Sequence, residues 1–367
     1  MLLGLTDNCN LACSYCFVKQ KPLEMTYEIA EKSVEWLLSN HSNDSTPLVT
    51  FFGGEPLLKY DDIIVPIVEK YKEKITFSIT TNGTLLDEDK VDFFFKNNVG
   101  ILLSFDGVKE VQNTQRVGKE INSFDTVRDN IPYLLLRFPN TTMRMTLTKL
   151  AIPHLYDTIL LAEEFGFKNI TFCPNAYEDW DWDDAVAYED QLEKSGLHIF
   201  KSFYNNNDIA IRVNPLIDYF NNIELGVQGN LHYNNSLMRC GLGTTSCAIT
   251  PEGQIIPCQE KISCPTWIIG NVFEGIDPKA HETFLKWYID KMNNDFICDR
   301  KCITLKENVH CLNNTCPSRL EDLNFKPSTA TCVFNRVTLR IAHRLYLNCQ
   351  HSIDPKIIDY FSKEEVY

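Results

Sequence analysis

Asn8-Cys9-Asn10-Leu11-Ala12-Cys13-Ser14-Tyr15-Cys16-Phe17 carries three cysteines in the spacing C-x3-C-x2-C. The stretch follows Leu2–Thr6, a short apolar run that reads as a strand. Three thiolates on one short loop can hold three irons of a four-iron cube and leave the fourth iron without a protein ligand. An open coordination position marks a catalytic rather than a structural metal, by the logic that applies to zinc. A structural zinc site is the alternative. It wants a fourth ligand close by, and the nearest histidine is His41.

Outward from this loop, short β runs alternate with amphipathic segments. Candidate strands are Leu2–Thr6, Leu48–Phe52, Thr76–Thr80, Gly100–Phe105, Thr142–Thr148 and Asn169–Cys173. Between them lie helical patterns at Tyr27–Leu38, Asp61–Tyr71, Glu88–Lys96, Phe124–Leu136 and Leu155–Phe165. Such alternation implies parallel βαβ units. The fold class expected is α/β, a partial (β/α)6 TIM-type barrel over residues 1–175, with active residues where strands end and loops begin. Near Pro174 the alternation is expected to stop. Residues 176–238 then form a bridging region that includes the acidic, aromatic stretch Trp180–Asp184, a solvated bridge loop or a peptide contact.

Further motifs stand at successive strand ends. Gly53-Gly54-Glu55-Pro56 follows the second candidate strand, Thr81-Asn82-Gly83-Thr84 the third, and Ser104-Phe105-Asp106-Gly107 the fourth. Singly each reads as a turn. In this order, with the cysteine loop, they resemble the signatures of radical S-adenosylmethionine (SAM) enzymes. The resemblance implies that Cys9, Cys13 and Cys16 hold the SAM-binding [4Fe-4S] cluster. It implies SAM contacts from Gly53, Gly54 and Glu55 around the methionine amino group, and from Asn82, Ser104 and Arg116 to ribose or carboxylate oxygens. Tyr15 and Phe17 would wall the adenine. The physical roles agree, because glycines admit a ligand close to the backbone and a carboxylate pairs with an ammonium. The implied chemistry is one-electron cleavage of SAM to a 5′-deoxyadenosyl radical that abstracts a hydrogen atom from the substrate. An electron donor such as flavodoxin or ferredoxin is expected.

Ten of the fourteen cysteines lie from Cys240 to Cys349. They read Cys240-x6-Cys247-x5-Gly253-x4-Cys258, then Cys298-x3-Cys302-x8-Cys311-x4-Cys316, then Cys332. The pattern resembles the SPASM domain, with longer spacings in its middle segment. The resemblance implies an iron–sulfur domain over 239–335, followed by a helical tail over 336–367. Carried over, the first auxiliary cluster uses Cys240, Cys247, Cys258 and Cys316, and the second Cys298, Cys302, Cys311 and Cys332, for three [4Fe-4S] clusters in all. Two zinc sites are the alternative, since four thiolates suit either metal. Cys173, Cys264 and Cys349 are left over. Cys173 ends the sixth strand facing the expected cavity and is a candidate substrate contact.

The net charge of −14, with 49 acidic against 35 basic residues, argues against bulk nucleic-acid binding, which needs a basic footprint. The opening residues carry no signal-peptide pattern, and no apolar run approaches a membrane span. A cytoplasmic protein with reduced thiols is expected, and clustered cysteines are then metal ligands rather than disulfides.

The expected function is peptide maturation. The radical opens a C–H bond of a ribosomally made precursor peptide to form an intramolecular crosslink (thioether, ether or C–C) or an epimer. Cys9 comes too early for a leader-binding module before the barrel. Anaerobic sulfatase maturation, which makes formylglycine, is the runner-up. In those relatives an aspartate base directly follows the third cysteine of the first auxiliary set. Here that position is Gln259, and an amide takes no proton. Glu260 is next, pointing to the other side if the chain is extended. The sequence names no catalytic acid or base. A non-catalytic iron–sulfur electron carrier is the reading of another class, although such a carrier has no use for the strand-end motifs.

Overall fold

A computed structural model describes residues 1–41, 45–206, 211–219, 241–263, 267–294 and 328–352. Its strands are β1 (Leu2–Gly4), β2 (Leu11–Cys13), β3 (Leu48–Phe52), β4 (Thr76–Thr81), β5 (Val99–Ser104), β6 (Arg116–Gly118), β7 (Thr142–Leu147), β8 (Asn169–Pro174), β9 (Arg212–Val213), β10 (Ala248–Ile249), β11 (Gln254–Ile256), β12 (Gly270–Asn271) and β13 (Gly275–Ile276). Crossover helices α1 (Tyr27–Asn40), α2 (Val65–Tyr71), α3 (Glu88–Lys96), α4 (Lys109–Gln115), α5 (Ser123–Arg137), α6 (Leu155–Phe165) and α7 (Trp182–Asn206) lie between them. Their ends follow capping chemistry. Thr26, Asp87 and Asn122 accept the free N–H groups of Ile29, Lys90 and Asp125, and Gly166 closes α6 in the left-handed region at φ 93°.

Most strands join one sheet in the order β13-β12-β11-β10-β1-β3-β4-β5-β7-β8-β9, parallel from β10 through to β9. The expected partial barrel is present, and its six strands stand within two residues of their expected bounds.

The two faces of this sheet differ. Val49, Phe51, Phe77, Ile79, Leu103, Met143, Leu147 and Phe172 are buried beneath the helices. Each such side chain stabilises by about 1.5–3 kcal/mol. The alternate residues Thr50, Ser78, Thr80, Ser104, Thr142, Arg144, Thr146, Thr171 and Cys173 are polar and half-buried. A barrel filled by its own side chains carries layers of bulky apolar residues. Here hydroxyls and a guanidinium stand beside the apolar Phe52 and Leu102.

The alternation was expected to stop near Pro174, and the structure corrects this. The chain passes through α7 into β9, which pairs in parallel with β8 at Asn169↔Arg212 and Ile170↔Val213. On the opposite edge β10 pairs in parallel with β1, so the sheet runs on into the cysteine-rich region through the β10–β11 hairpin. Strands of two residues have no period to read, so neither pairing was legible.

The helix Thr329–Ser352 packs on α7. Tyr188 stacks on Phe334 at 5.6 Å and bonds Thr338 Oγ1 at 2.7 Å, and Arg344 reaches Glu189 at 3.0 Å. No helix among the described residues is long and apolar enough to cross a membrane.

Candidate active site

The cysteine loop leaves the C-terminal end of β1 and is held on three sides. Beneath it, the Gly54 and Glu55 N–H groups donate to Thr6 O (2.7 Å) and Asn8 O (3.0 Å). A Cβ on Gly53, whose φ is +131°, or on Gly54 would collide with those same carbonyl oxygens, so this approach requires glycine at both positions. Beside it, Asn82 Nδ2 donates to Asn10 Oδ1 (3.0 Å) and lies 3.7 Å from Cys9 Sγ, while Asn10 Nδ2 donates to Thr84 Oγ1 (2.7 Å). Above it, β2 pairs antiparallel with β6, setting Cys13 opposite Arg116, and Lys119 Nζ donates to Cys9 O at 2.8 Å. The strand-end motifs therefore meet around the cysteines.

Glu55 is fully buried and ties two of these loops together. Oε1 accepts from Leu57 N (3.0 Å) and Thr81 Oγ1 (2.7 Å), and Oε2 from Asn82 N (2.9 Å). Burial outweighs these donors and raises its pKa to about 7. Its carboxylate is held by three donors of the chain itself, one of them on Oε2.

Arg116 is placed in the same way. Its Nη2 donates to Asp106 Oδ1 at 3.1 Å, and its Nε lies 3.0 Å from Oδ2 without the alignment of a hydrogen bond. Its guanidinium sits 5.5 Å from the centre of the Tyr15 ring. Asp106, fully buried, also accepts from Tyr15 OH, Gln115 Nε2 (2.9 Å) and Thr146 N (3.0 Å). Tyr15 thus belongs to a polar cluster. Phe17 stacks on Phe52 at 6.0 Å. Ser104 stands half-buried at the end of β5. Asp106 is the hub that the sequence left without a role, although an aspartate at a strand end with Gln115 and Arg116 downstream was the available signal.

Burial raises the Cys9 and Cys13 thiols to about 11 and about 12 and lifts Cys16 as well, and the three act on one another as charges. Thiolates so placed need a cation to hold them, and metal binding would release their protons. Among the described residues no three His, Cys, Asp or Glu side chains close on one point. A cube takes its thiolates at separate iron corners and asks for no such point, so a three-cysteine loop with an open corner fits this donor set.

Residues 3–162 match the family model described as the radical SAM superfamily. This part of the chain is a radical SAM domain. The chain is 25% identical over 330 residues to a cysteine-type anaerobic sulfatase-maturating enzyme of Clostridium novyi, covering 84% of this chain and 82% of that one. It is 25% identical over 288 residues to the PqqA peptide cyclase of Gluconobacter oxydans, covering 74% and 73%. The solved structure of native anSMEcpe with bound AdoMet and the Cp18Cys peptide has the same fold, with a TM-score of 0.73 at 21% identity over 96% of this chain and 99% of that one. The chain thus carries a radical SAM domain, and that superfamily implies SAM and a [4Fe-4S] cluster.

Of the auxiliary residues, Cys247 and Cys258 are half-buried. The register Ala248↔Ile256 sets both at the same open end of the β10–β11 hairpin. Cys332 is buried near the start of the Thr329–Ser352 helix. Cys240, Cys298, Cys302, Cys311 and Cys316, with the unassigned Cys264, lie outside the described residues.

The segment after Cys258 departs from the expected extended chain. Gln259–Lys261 forms a single 3-10 turn, and Glu260 is close enough to Cys16 for its charge to act on that thiol. Gln259 Oε1 lies 3.8 Å from Cys258 Sγ. A helical turn swings successive side chains through about a third of a revolution. Glu260 is therefore not set on the far side of a strand.

Two residues of the sheet's open face escaped the motifs. Arg144 on β7 donates from Nη2 to Cys173 Sγ on β8 at 3.2 Å. The signal for Arg144 was a single charge amid Thr142-Met143-Arg144-Met145-Thr146, on the face opposite the methionines.

Proposed function

We propose that this radical SAM enzyme modifies a ribosomally made peptide, abstracting a hydrogen atom with a 5′-deoxyadenosyl radical and closing an intramolecular thioether, ether or C–C crosslink. The observation that carries the reading is the convergence of the cysteine loop and the strand-end motifs at one end of the parallel sheet, beside its polar face. Cys9, Cys13 and Cys16 would hold a [4Fe-4S] cluster. Bound there with SAM, it supplies one-electron cleavage of the sulfonium. The chain's own residues set the geometry. The Gly53–Gly54 backbone and Asn82 fix the loop, Glu55 locks the second and third motifs together, and Arg116 keeps a positive charge beside Cys13 and Cys16. Ser104 and the open face are left for ligand. Stored in a cavity walled by protein, a radical is kept from water.

The cysteine-rich region, residues 239–335, would form a SPASM domain with two further [4Fe-4S] clusters. Cys240, Cys247, Cys258 and Cys316 form one set, and Cys298, Cys302, Cys311 and Cys332 the other. Cys247 and Cys258 at one hairpin end support a shared set. Four-thiolate cubes have no open iron, so their work would be electron transfer, fed by a flavodoxin- or ferredoxin-type donor in the cytoplasm. The precursor would dock on the barrel and SPASM surfaces.

Sulfatase maturation is the second reading. The Clostridium novyi relative supports it, as does the turn that brings Glu260 toward Cys16, where a carboxylate could replace the base that Gln259 cannot provide. Anaerobic incubation with two peptides separates the readings. With a short peptide encoded beside the gene, the expected product is about two mass units lighter, from loss of two hydrogens. With a cysteine- or serine-type sulfatase peptide, no formylglycine is expected. Efficient formylglycine formation that is lost in Glu260→Gln would replace the crosslinking proposal with the second reading.

A further inference from the structure

Among the described residues the guanidinium of Arg144, half-buried on the polar face of the sheet, has a sulfur as its hydrogen-bond partner, at 3.2 Å, and pairs with no carboxylate. Arg116, Arg128, Arg137, Arg340 and Arg344 each meet an aspartate or glutamate. A half-buried cation without an anion is costly unless something that binds there supplies the anion.

Its surroundings suit that purpose. The strand register places Ser104 and Thr171 directly beside Arg144, and Thr146 beside Cys173, all on the half-buried polar face. A planar guanidinium between two hydroxyls matches the two oxygens of a carboxylate. The chain carries a net charge of −14, so an acidic ligand reaching this face needs such a local cation.

Position within the sheet separates this site from the cysteine loop. The cysteine, Gly53–Pro56 and Thr81–Thr84 loops follow β1, β3 and β4, whereas Arg144 and Cys173 stand on β7 and β8, beyond β5. We propose that Arg144, flanked by Ser104, Thr171 and Cys173, anchors a carboxylate of the peptide substrate and so selects an acidic side chain or chain terminus for the radical's reach. This rests on the reading of the chain as a peptide-modifying radical SAM enzyme.

The probes are iodoacetate and iodoacetamide, which both alkylate a thiolate by displacing iodide but differ in carrying a carboxylate. Anaerobically reconstituted holoenzyme is treated with each, and the extent at Cys173 is read by mass spectrometry against the other alkylated cysteines. The iodoacetate-to-iodoacetamide ratio at Cys173 is expected to exceed theirs by roughly tenfold, the enrichment a local cation gives an anion. Arg144→Gln should bring the ratio down to theirs, and Arg144→Lys should keep part of it. Preloading with SAM should leave the preference in place. Loss of the preference on adding SAM would assign the carboxylate to SAM and overturn the substrate anchor. An ordinary ratio at Cys173, or a Cys173 that neither reagent reaches, would overturn it too. The test needs no turnover, so its failure is distinct from a failure to form 5′-deoxyadenosine, which would strike the underlying reading.

Discussion

The loops that follow β1, β3, β4 and β5 and the polar face at Ser104 of β5, β7 and β8 are built on opposite plans. In the first region the polar groups are spent on one another. Glu55 takes three donors, Asp106 takes Arg116, Tyr15, Gln115 and Thr146, and Asn82 joins Asn10 and Thr84. In the second, the hydroxyls of Ser104 and Thr171 have no hydrogen-bond partner among the described residues, and Arg144 touches a thiol. A satisfied buried network fixes loops at a cost in burial that its hydrogen bonds offset. Half-buried groups outside such a network keep some access to solvent and remain for a ligand. The first region therefore reads as a mount for the cofactor and the second as a seat for substrate.

Substitutions can break this contrast. Changing Cys9, Cys13 and Cys16 together to alanine should abolish 5′-deoxyadenosine formation and remove one cluster of three, or about four of about twelve irons per chain. Iron and sulfide analysis checks this, and stoichiometric zinc with little iron in the wild type would sink the cluster assignment.

Next in size is Arg116→Met, which strands a fully buried Asp106. Removing one partner of such a pair costs about 3–5 kcal/mol, and denaturant unfolding of the apo chain measures it. An unchanged midpoint would mean the network is not a mount.

Glu55 supplies a pH test. Its folded pKa of about 7 lies above the value of 4.5 for a free glutamate. The folded state binds the proton more tightly, so the stability from this group is full below pH 4.5 and is lost as pH rises through 7. The loss is on the order of 3 kcal/mol. Glu55→Gln of the apo chain should flatten that part of the pH–stability curve. A variant curve parallel to the wild type would show that Glu55 does not titrate this way.

The smallest effect sharpens the other side of the comparison. Ser104→Ala should change stability by less than about 0.5 kcal/mol, because its hydroxyl has no partner to lose among the described residues. A cost above 1 kcal/mol would place Ser104 in the network.

Legibility in the sequence followed the same division. The parallel strands and the cysteine loop were readable because each strand is an apolar run ended by a motif. Gly53 and Gly54 declared a close backbone approach. The network behind the motifs was not readable. Glu55 and Arg116 carry charges that suit SAM, and nothing in a linear chain tells that Thr81, Asn82 and Asp106 also bond them. The β2–β6 pairing that sets Cys13 against Arg116 joins residues a hundred positions apart through strands too short to show a period. Gln259–Glu260-Lys261 looked extended because a single 3-10 turn has no pattern of its own.

In the proposed reaction a radical formed at the cysteine loop reaches a peptide on the polar face. Deuterium transfer tests it most directly. Anaerobic holoenzyme, SAM and reductant are supplied with a perdeuterated peptide encoded beside the gene, and 5′-deoxyadenosine is weighed. One deuterium is expected in 5′-deoxyadenosine, with a peptide that has lost it. SAM cleavage that leaves 5′-deoxyadenosine unlabelled and the peptide unchanged would contradict the proposed reaction.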